Sequence, residues 1–299
     1  MTGIPEISEI VVISGKGGTG KTTITASLAA LAEDHLLADC DVDASNLHLI
    51  LDPEIELKED FYGSKIAVKE PGCIDCGRCK DVCRFEAVTD SYDIKELKCE
   101  GCGACVYVCP VDVLTIKEIV TGEVYRSETR YGPMVHAKLH IGEEASGKLV
   151  TKVKDSARCE AEEKGKGSIL IDGAPGIGCP VIASISGSDL VVIFTEPTLS
   201  GIHDLERVHQ MTEHFDIHCC VCINKYDLNS TMSQRIRDYC SDNSIPIFAE
   251  LPYDKRVTDA MIAGKSIVEF EDTYGSEIYD EIINLWNKIQ NDLKMFNKY

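Results

Sequence analysis

The chain has 299 residues, a formal net charge of −20, 44% apolar residues and fifteen cysteines. That length suits one large α/β domain or two smaller ones, and the acidity argues against a partner made of nucleic acid or anionic membrane. No apolar run is long enough to span a bilayer, and the first residues, MTGIPEISE, lack the basic and apolar regions of a signal peptide. Fifteen cysteines without an export signal point to metal or cluster ligation in a reducing compartment, so the expected location is cytoplasmic.

From the N-terminus, the apolar run Ile7–Ile13 leads into Gly15-Lys16-Gly17-Gly18-Thr19-Gly20-Lys21-Thr22-Thr23, and the small-residue segment Ile24–Ala32 leads out. Strand, glycine-rich loop and helix form the context that a phosphate-binding loop needs. Glycines let successive backbone N–H groups face one anion at the positive end of the following helix. Lys21 neutralises the β- and γ-phosphates in such a loop, and Thr22 places its hydroxyl on Mg²⁺.

The second lysine narrows the class. KGGTGKT resembles the deviant Walker A loop of the MinD/ParA-type P-loop ATPases, a group that includes the nitrogenase iron protein. The resemblance implies a doubly wound, mostly parallel α/β sheet and a dimer, homo- or heteromeric with a related ATPase, that sandwiches ATP. It also implies that Lys16 reaches the partner's nucleotide as an arginine-finger equivalent. Downstream, Leu36–Leu47 reads LLADCDVDASNL, a short apolar strand delivering acids to its carboxyl end. By the same resemblance Asp41 orients the attacking water and Asp39 stands near the Mg²⁺ hydration shell. Cys40, between them, points to the opposite face and reads as core.

At about residue 67 the composition changes. Cys73-x2-Cys76-x2-Cys79-x3-Cys83 is repeated as Cys99-x2-Cys102-x2-Cys105-x3-Cys109-Pro110. This is the two-cluster bacterial ferredoxin run, in which the fourth cysteine of each half serves the other cluster. Cluster one then takes Cys73, Cys76, Cys79 and Cys109; cluster two takes Cys99, Cys102, Cys105 and Cys83. Gly77, Gly101 and Gly103 permit the close turns. Zinc sites favour separated C-x2-C pairs and fit this spacing less well. Arg84 follows Cys83 where bacterial ferredoxins usually carry proline. The expected organisation is 1–66 ATPase, 67–117 an inserted ferredoxin-like α+β module, 118–299 ATPase. The whole chain resembles MinD-superfamily ATPases that contain an inserted ferredoxin domain.

After the insert, Tyr131–Ala137 and Gly142–Val150 share that resemblance without an assignable role, although Ser146-Gly147-Lys148 offers a helix start. His136 and His140 lack an acid or cysteine neighbour and read as structural. Ser168–Gly176 is a buried strand ending in Asp172, the second Mg²⁺-site carboxylate, followed by a mobile switch from Gly173 to Gly178. Cys179, just beyond it, reads as a structural thiol or as a group facing a two-fold partner. Cys219, Cys220 and Cys222 read as core.

Asn224-Lys225-Tyr226-Asp227 looks like a base-recognition loop in which Asn224 reads the purine. Asp227 raises the question of GTP, while the deviant loop favours ATP. Pro252, Tyr253 and Asp254 resemble the family's second base-contacting segment. The last apolar positions, Ile278 to Leu293, repeat at helical spacing and read as core. The function expected is a Mg²⁺-dependent ATPase coupling dimer rearrangement to two 4Fe-4S clusters. Its work is electron transfer to a redox partner or metallocofactor assembly; the alternative is a MinD-type positioning switch with structural clusters.

Overall fold

In the computed structural model the described residues are 7–140 and 147–296, with the Phe296 side chain excluded; Gly142–Ser146, singled out above, lies outside them. In chain order the elements are β1 (Ser8–Ser14), α1 (Lys21–Leu31), β2 (His35–Asp39), α2 (Leu47–Leu51), β3 (Glu54–Phe61) and β4 (Ser64–Lys69). There follow α3 (Arg78–Val82), α4 (Ala104–Tyr107), β5 (Leu114–Ile119), β6 (Gly122–Thr129), β7 (Gly132–Leu139), α5 (Gly147–Lys164), β8 (Ser168–Pro175) and α6 (Cys179–Ile185). The last are β9 (Leu190–Thr195), α7 (Leu199–His214), β10 (Cys219–Asn224), α8 (Ser230–Asp242), β11 (Ile247–Leu251), α9 (Lys255–Ile262) and α10 (Glu277–Phe296).

Every residue of β1, β2, β9 and β10 is buried, which is why these segments read as continuous apolar runs instead of alternating ones. They sit inside a nine-stranded sheet of order β11-β10-β9-β1-β8-β2-β7-β6-β3. The pairs from β11 through β7 are parallel, so the fold is α/β with a mostly parallel central sheet. Register carries chemistry: β2 and β8 align Asp39, the last residue of β2, with Asp172 in the second half of β8, so the two acids are side-by-side partners. Cys40 and the three cysteines of β10 are buried apolar groups. Ile278, Ile282, Leu285, Trp286 and Ile289 of α10 pack into the core with α1, β10 and β11, where the helical spacing puts them. Tyr131–Ala137, which had no role in the sequence reading, forms the turn and most of β7, paired to β2.

By its contacts the chain divides into two compact units, Met1–Lys58 with Val124–Lys138 and Glu144–Tyr299, and Glu59–Glu123 with Leu139–Glu143. The smaller unit is wider than the 67–117 read from the cysteines, because the β4–β5 antiparallel pair extends the segment at both ends. Its two halves repeat at an offset of 26 residues, Cys73 to Cys99 and Cys83 to Cys109. The backbone repeats with them: Asp75 and Gly101 have φ 53° and 58°, Gly77 and Gly103 79° and 78°, Glu86 and Asp112 53° and 51°. At Gly101 glycine is also demanded by space, since a Cβ would stand 2.2 Å from the Lys65 carbonyl oxygen.

Candidate functional site

A cavity of about 680 Å³ opens at the carboxyl edge of the large sheet, within the usual size of a ligand pocket. Gly17, Gly18, Thr19, Gly20, Lys21, Thr22 and Thr23 form one wall, and Asp41, Asn224, Pro252, Tyr253 and Asp254 also line it. Gly18 and Gly20 hold φ of 83° and 86°, the left-handed conformations that wrap the loop. Gly15 and Lys16 do not line the cavity; Gly15 packs so closely on Asp204 that a Cβ would sit 2.2 Å from that residue's own Cβ. Lys16 is exposed.

Asp172 organises the floor. Its Oδ1 accepts from Lys21 Nζ at 2.6 Å and from Thr25 Oγ1 at 3.2 Å, and its Oδ2 accepts from Thr22 Oγ1 at 2.7 Å. Burial works against the charge of Lys21, but Asp172, Asp41 and Asp39 outweigh it and raise its pKa. Lys21 also stands 3.8 Å from Asp41. Asp41 and Asp39 are both pushed up, by burial first and then by the neighbouring Asp172, with Lys21 opposing. Asp39 is fully buried: its carboxylate accepts from Ser45 Oγ at 2.7 Å and from the Asp41 amide at 3.0 Å.

From Ser45 a line of contacts continues sideways. Ser45 Oγ lies 3.4 Å from His48 Nδ1, and the His48 ring is parallel to that of His136 at 6.3 Å. His136 in turn stacks on Tyr125 at 5.0 Å, and its Nε2 lies 3.1 Å from Ser127 Oγ. Burial pushes the His136 pKa down to about 4.

At the base end, Asn224 donates from Nδ2 to the Thr19 carbonyl at 2.7 Å, bracing the phosphate loop from below. Asp227 is absent from the cavity wall, and its Oδ1 accepts from the Tyr253 amide at 2.7 Å, which ties it to the Pro252–Asp254 segment. The Asp254 carboxylate is likewise engaged, by the Arg256 guanidinium, which holds its pKa down.

In the smaller unit two further cavities appear. One is lined by Cys73, Cys76, Cys79 and Cys109, the other by Cys83, Cys99, Cys102 and Cys105. The Ala67 amide donates to Cys99 Sγ at 3.3 Å and the Ala87 amide to Cys83 Sγ at 3.4 Å. Among the described residues no three His, Cys, Asp or Glu side chains gather as ligands of a single metal ion. Each set of four thiols surrounds a space. Four thiolate donors around a hollow, with amides aimed at sulfur, fit a thiolate-ligated cluster in the chemistry of the donor set.

The sequence profile of CbiA, the CobQ/CobB/MinD/ParA nucleotide binding domain, matches residues 10–267. The chain belongs to this family. As a MinD/ParA-type member it is a P-loop nucleotide-binding ATPase. The protein MJ0578 of Methanocaldococcus jannaschii is 33% identical over 288 residues, which cover 95% of this chain and 97% of that protein. An iron-sulfur cluster carrier protein of Pyrococcus horikoshii is 22% identical, over 95% of this chain and 88% of its own. The structure of MinD from Pyrococcus horikoshii complexed with Mg-ADP shares the fold with a TM-score of 0.57 and 17% identity, over 95% and 96% of the two chains.

Several wall residues of this ATPase were not legible beforehand. Leu49, Ile50, Val257, Met261 and Ile278 give the cavity beside the glycine-rich loop an apolar side, and nothing in the sequence separates them from ordinary core positions. Cys179 begins α6 and is exposed, and Lys148 is exposed on α5. His140 does have an acid neighbour, contrary to the sequence reading: its Nε2 lies 3.7 Å from Glu123 Oε1. Among the described residues no helix is long and apolar enough to cross a membrane.

Proposed function

We propose that this ATPase couples the state of its bound nucleotide to two 4Fe-4S clusters, and that its work is electron transfer to a partner protein in the cytoplasm. The observation that carries the reading is the crossed pair of thiol rings, each completed by the fourth cysteine of the other half. Each cluster supplies a one-electron couple.

In this reading Lys21 and Thr22 leave Asp172 when nucleotide enters, the first to neutralise phosphate and the second to face Mg²⁺. Mg²⁺ held there would supply neutralisation of the phosphate charge. Asp172 and Asp39 orient its water shell, and Asp41 holds the attacking water. Two protomers, identical or from a related ATPase, meet around ATP. Lys16 supports that role: it is exposed, outside its own cavity, and makes no ion pair among the described residues. The contact line from Asp39 through Ser45 and His48 to His136 supports coupling. It ends on β6 and β7, the strands through which the chain leaves and re-enters the cysteine-bearing unit.

A second reading, cluster or metallocofactor assembly, is favoured by the similarity to the iron-sulfur carrier. Anaerobic purification with iron and sulfide analysis tests the proposal; about eight irons per chain are expected. ATP-dependent reduction of a captured partner supports electron transfer, and iron transfer to an apo-protein supports assembly. ATP-dependent association that survives loss of the clusters returns the protein to a positioning switch. Zinc, or no metal, on the thiols contradicts the reading.

A further inference from the structure

The two cysteine cavities are built by a sequence repeat, so a difference between their walls is informative. Their backbones match, and the fourth sulfur of each half is served by backbone amides, Cys83 by Ala87 and Cys109 by Val111, Asp112, Val113 and Leu114. The side chains do not match. The cavity of Cys73, Cys76, Cys79 and Cys109 has one charged residue in its wall, Lys69, and one hydroxyl, from Tyr92. The cavity of Cys83, Cys99, Cys102 and Cys105 also has one charged residue, Glu100, standing where the first half has Ile74.

Resting on the cluster reading above, we propose that the first cavity holds the more easily reduced of the two clusters, and that Lys69 and Glu100 set the order. Adding an electron makes a cluster more negative. A nearby cation favours that state and a nearby carboxylate opposes it. Lys69 has a counter-ion, Asp93, at 2.5 Å, but the two are placed unequally: the Lys69 side chain is 24% exposed and that of Asp93 61%. Lys69 lines the cavity and Asp93 does not, so the cation is the charge of the pair that the wall presents to the thiols. One difference opposes this order, the Ala67 amide on Cys99 in the second cavity. An amide offers a partial charge, whereas Lys69 and Glu100 each carry a full one and act in the same direction.

The test is a stepwise dithionite titration of the anaerobically prepared full chain, followed by electron paramagnetic resonance. Two one-electron couples are expected. Lys69→Gln should lower the higher couple by about a tenfold shift in its reduced-to-oxidised ratio, or ~59 mV, leaving the lower one in place. Glu100→Gln should raise the lower couple only. Asp93→Asn, which removes the counter-ion and keeps the cation, should raise the higher couple, and Lys69→Arg should restore it. These two guard against a variant that merely assembles badly. A Lys69→Gln effect on the lower couple, or on neither, overturns the assignment while the clusters stand. Absence of iron and sulfide from the wild-type chain overturns both this and the cluster reading.

Discussion

At the scale of single residues, Asp172 is the hinge of the site, because it holds both Lys21 and Thr22 of the glycine-rich loop. Lys21 is 5% exposed and Asp172 is fully buried, so breaking their pair by Lys21→Met strands a buried carboxylate. A loss of about 3–5 kcal/mol in unfolding free energy is expected, measured by denaturant titration. Lys16 is a different kind of lysine. If its charge acts on a partner's nucleotide, Lys16→Ala should leave nucleotide affinity within a few-fold of wild type. ATP turnover should fall by about 10³-fold or more. Equal loss of affinity and turnover would place Lys16 in its own chain's site.

His136 gives a pH signature. Its folded pKa is lowered from 6.5 to about 4 by burial, so below pH 6.5 the unfolded chain takes up a proton that the folded chain refuses. Stability should be unaffected by this group above pH 6.5 and fall as pH drops toward 4, by at most about 3 kcal/mol at ~1.4 kcal/mol per unit. His136→Phe should flatten that part of the acid limb relative to wild type in thermal unfolding.

At the scale of elements, the glycines of the cysteine loops separate two physical demands. Gly101 and Gly103 both have positive φ, but only Gly101 faces backbone at a distance no Cβ tolerates. Gly101→Ala should therefore reduce iron content on one cluster's worth of sites, whereas Gly103→Ala, with open space, should cost about 1 kcal/mol and keep its iron. What could be read from the sequence follows the same physics. β1, β2 and β8 announced themselves because strands covered on both faces are unbroken apolar runs. The phosphate loop and the cysteine repeat were legible because their chemistry fixes the spacing. β7 was not: its sequence, GPMVHAKL, mixes proline, histidine and lysine, and its place between β2 and β6 makes it a strand.

At the scale of the whole molecule, a chain of −20 carries the cavity of the glycine-rich loop in one compact unit and two thiol-ringed cavities in the other. In the function proposed here, nucleotide state in the first is felt by clusters in the second. The most direct measurement compares the midpoint potentials of the anaerobically purified protein with Mg-ADP and with a non-hydrolysable Mg-ATP analogue. The account predicts two 4Fe-4S couples, at least one of which moves when the nucleotide is exchanged, and a response weakened by His136→Phe. Clusters whose potentials stay the same in both nucleotide states would contradict it.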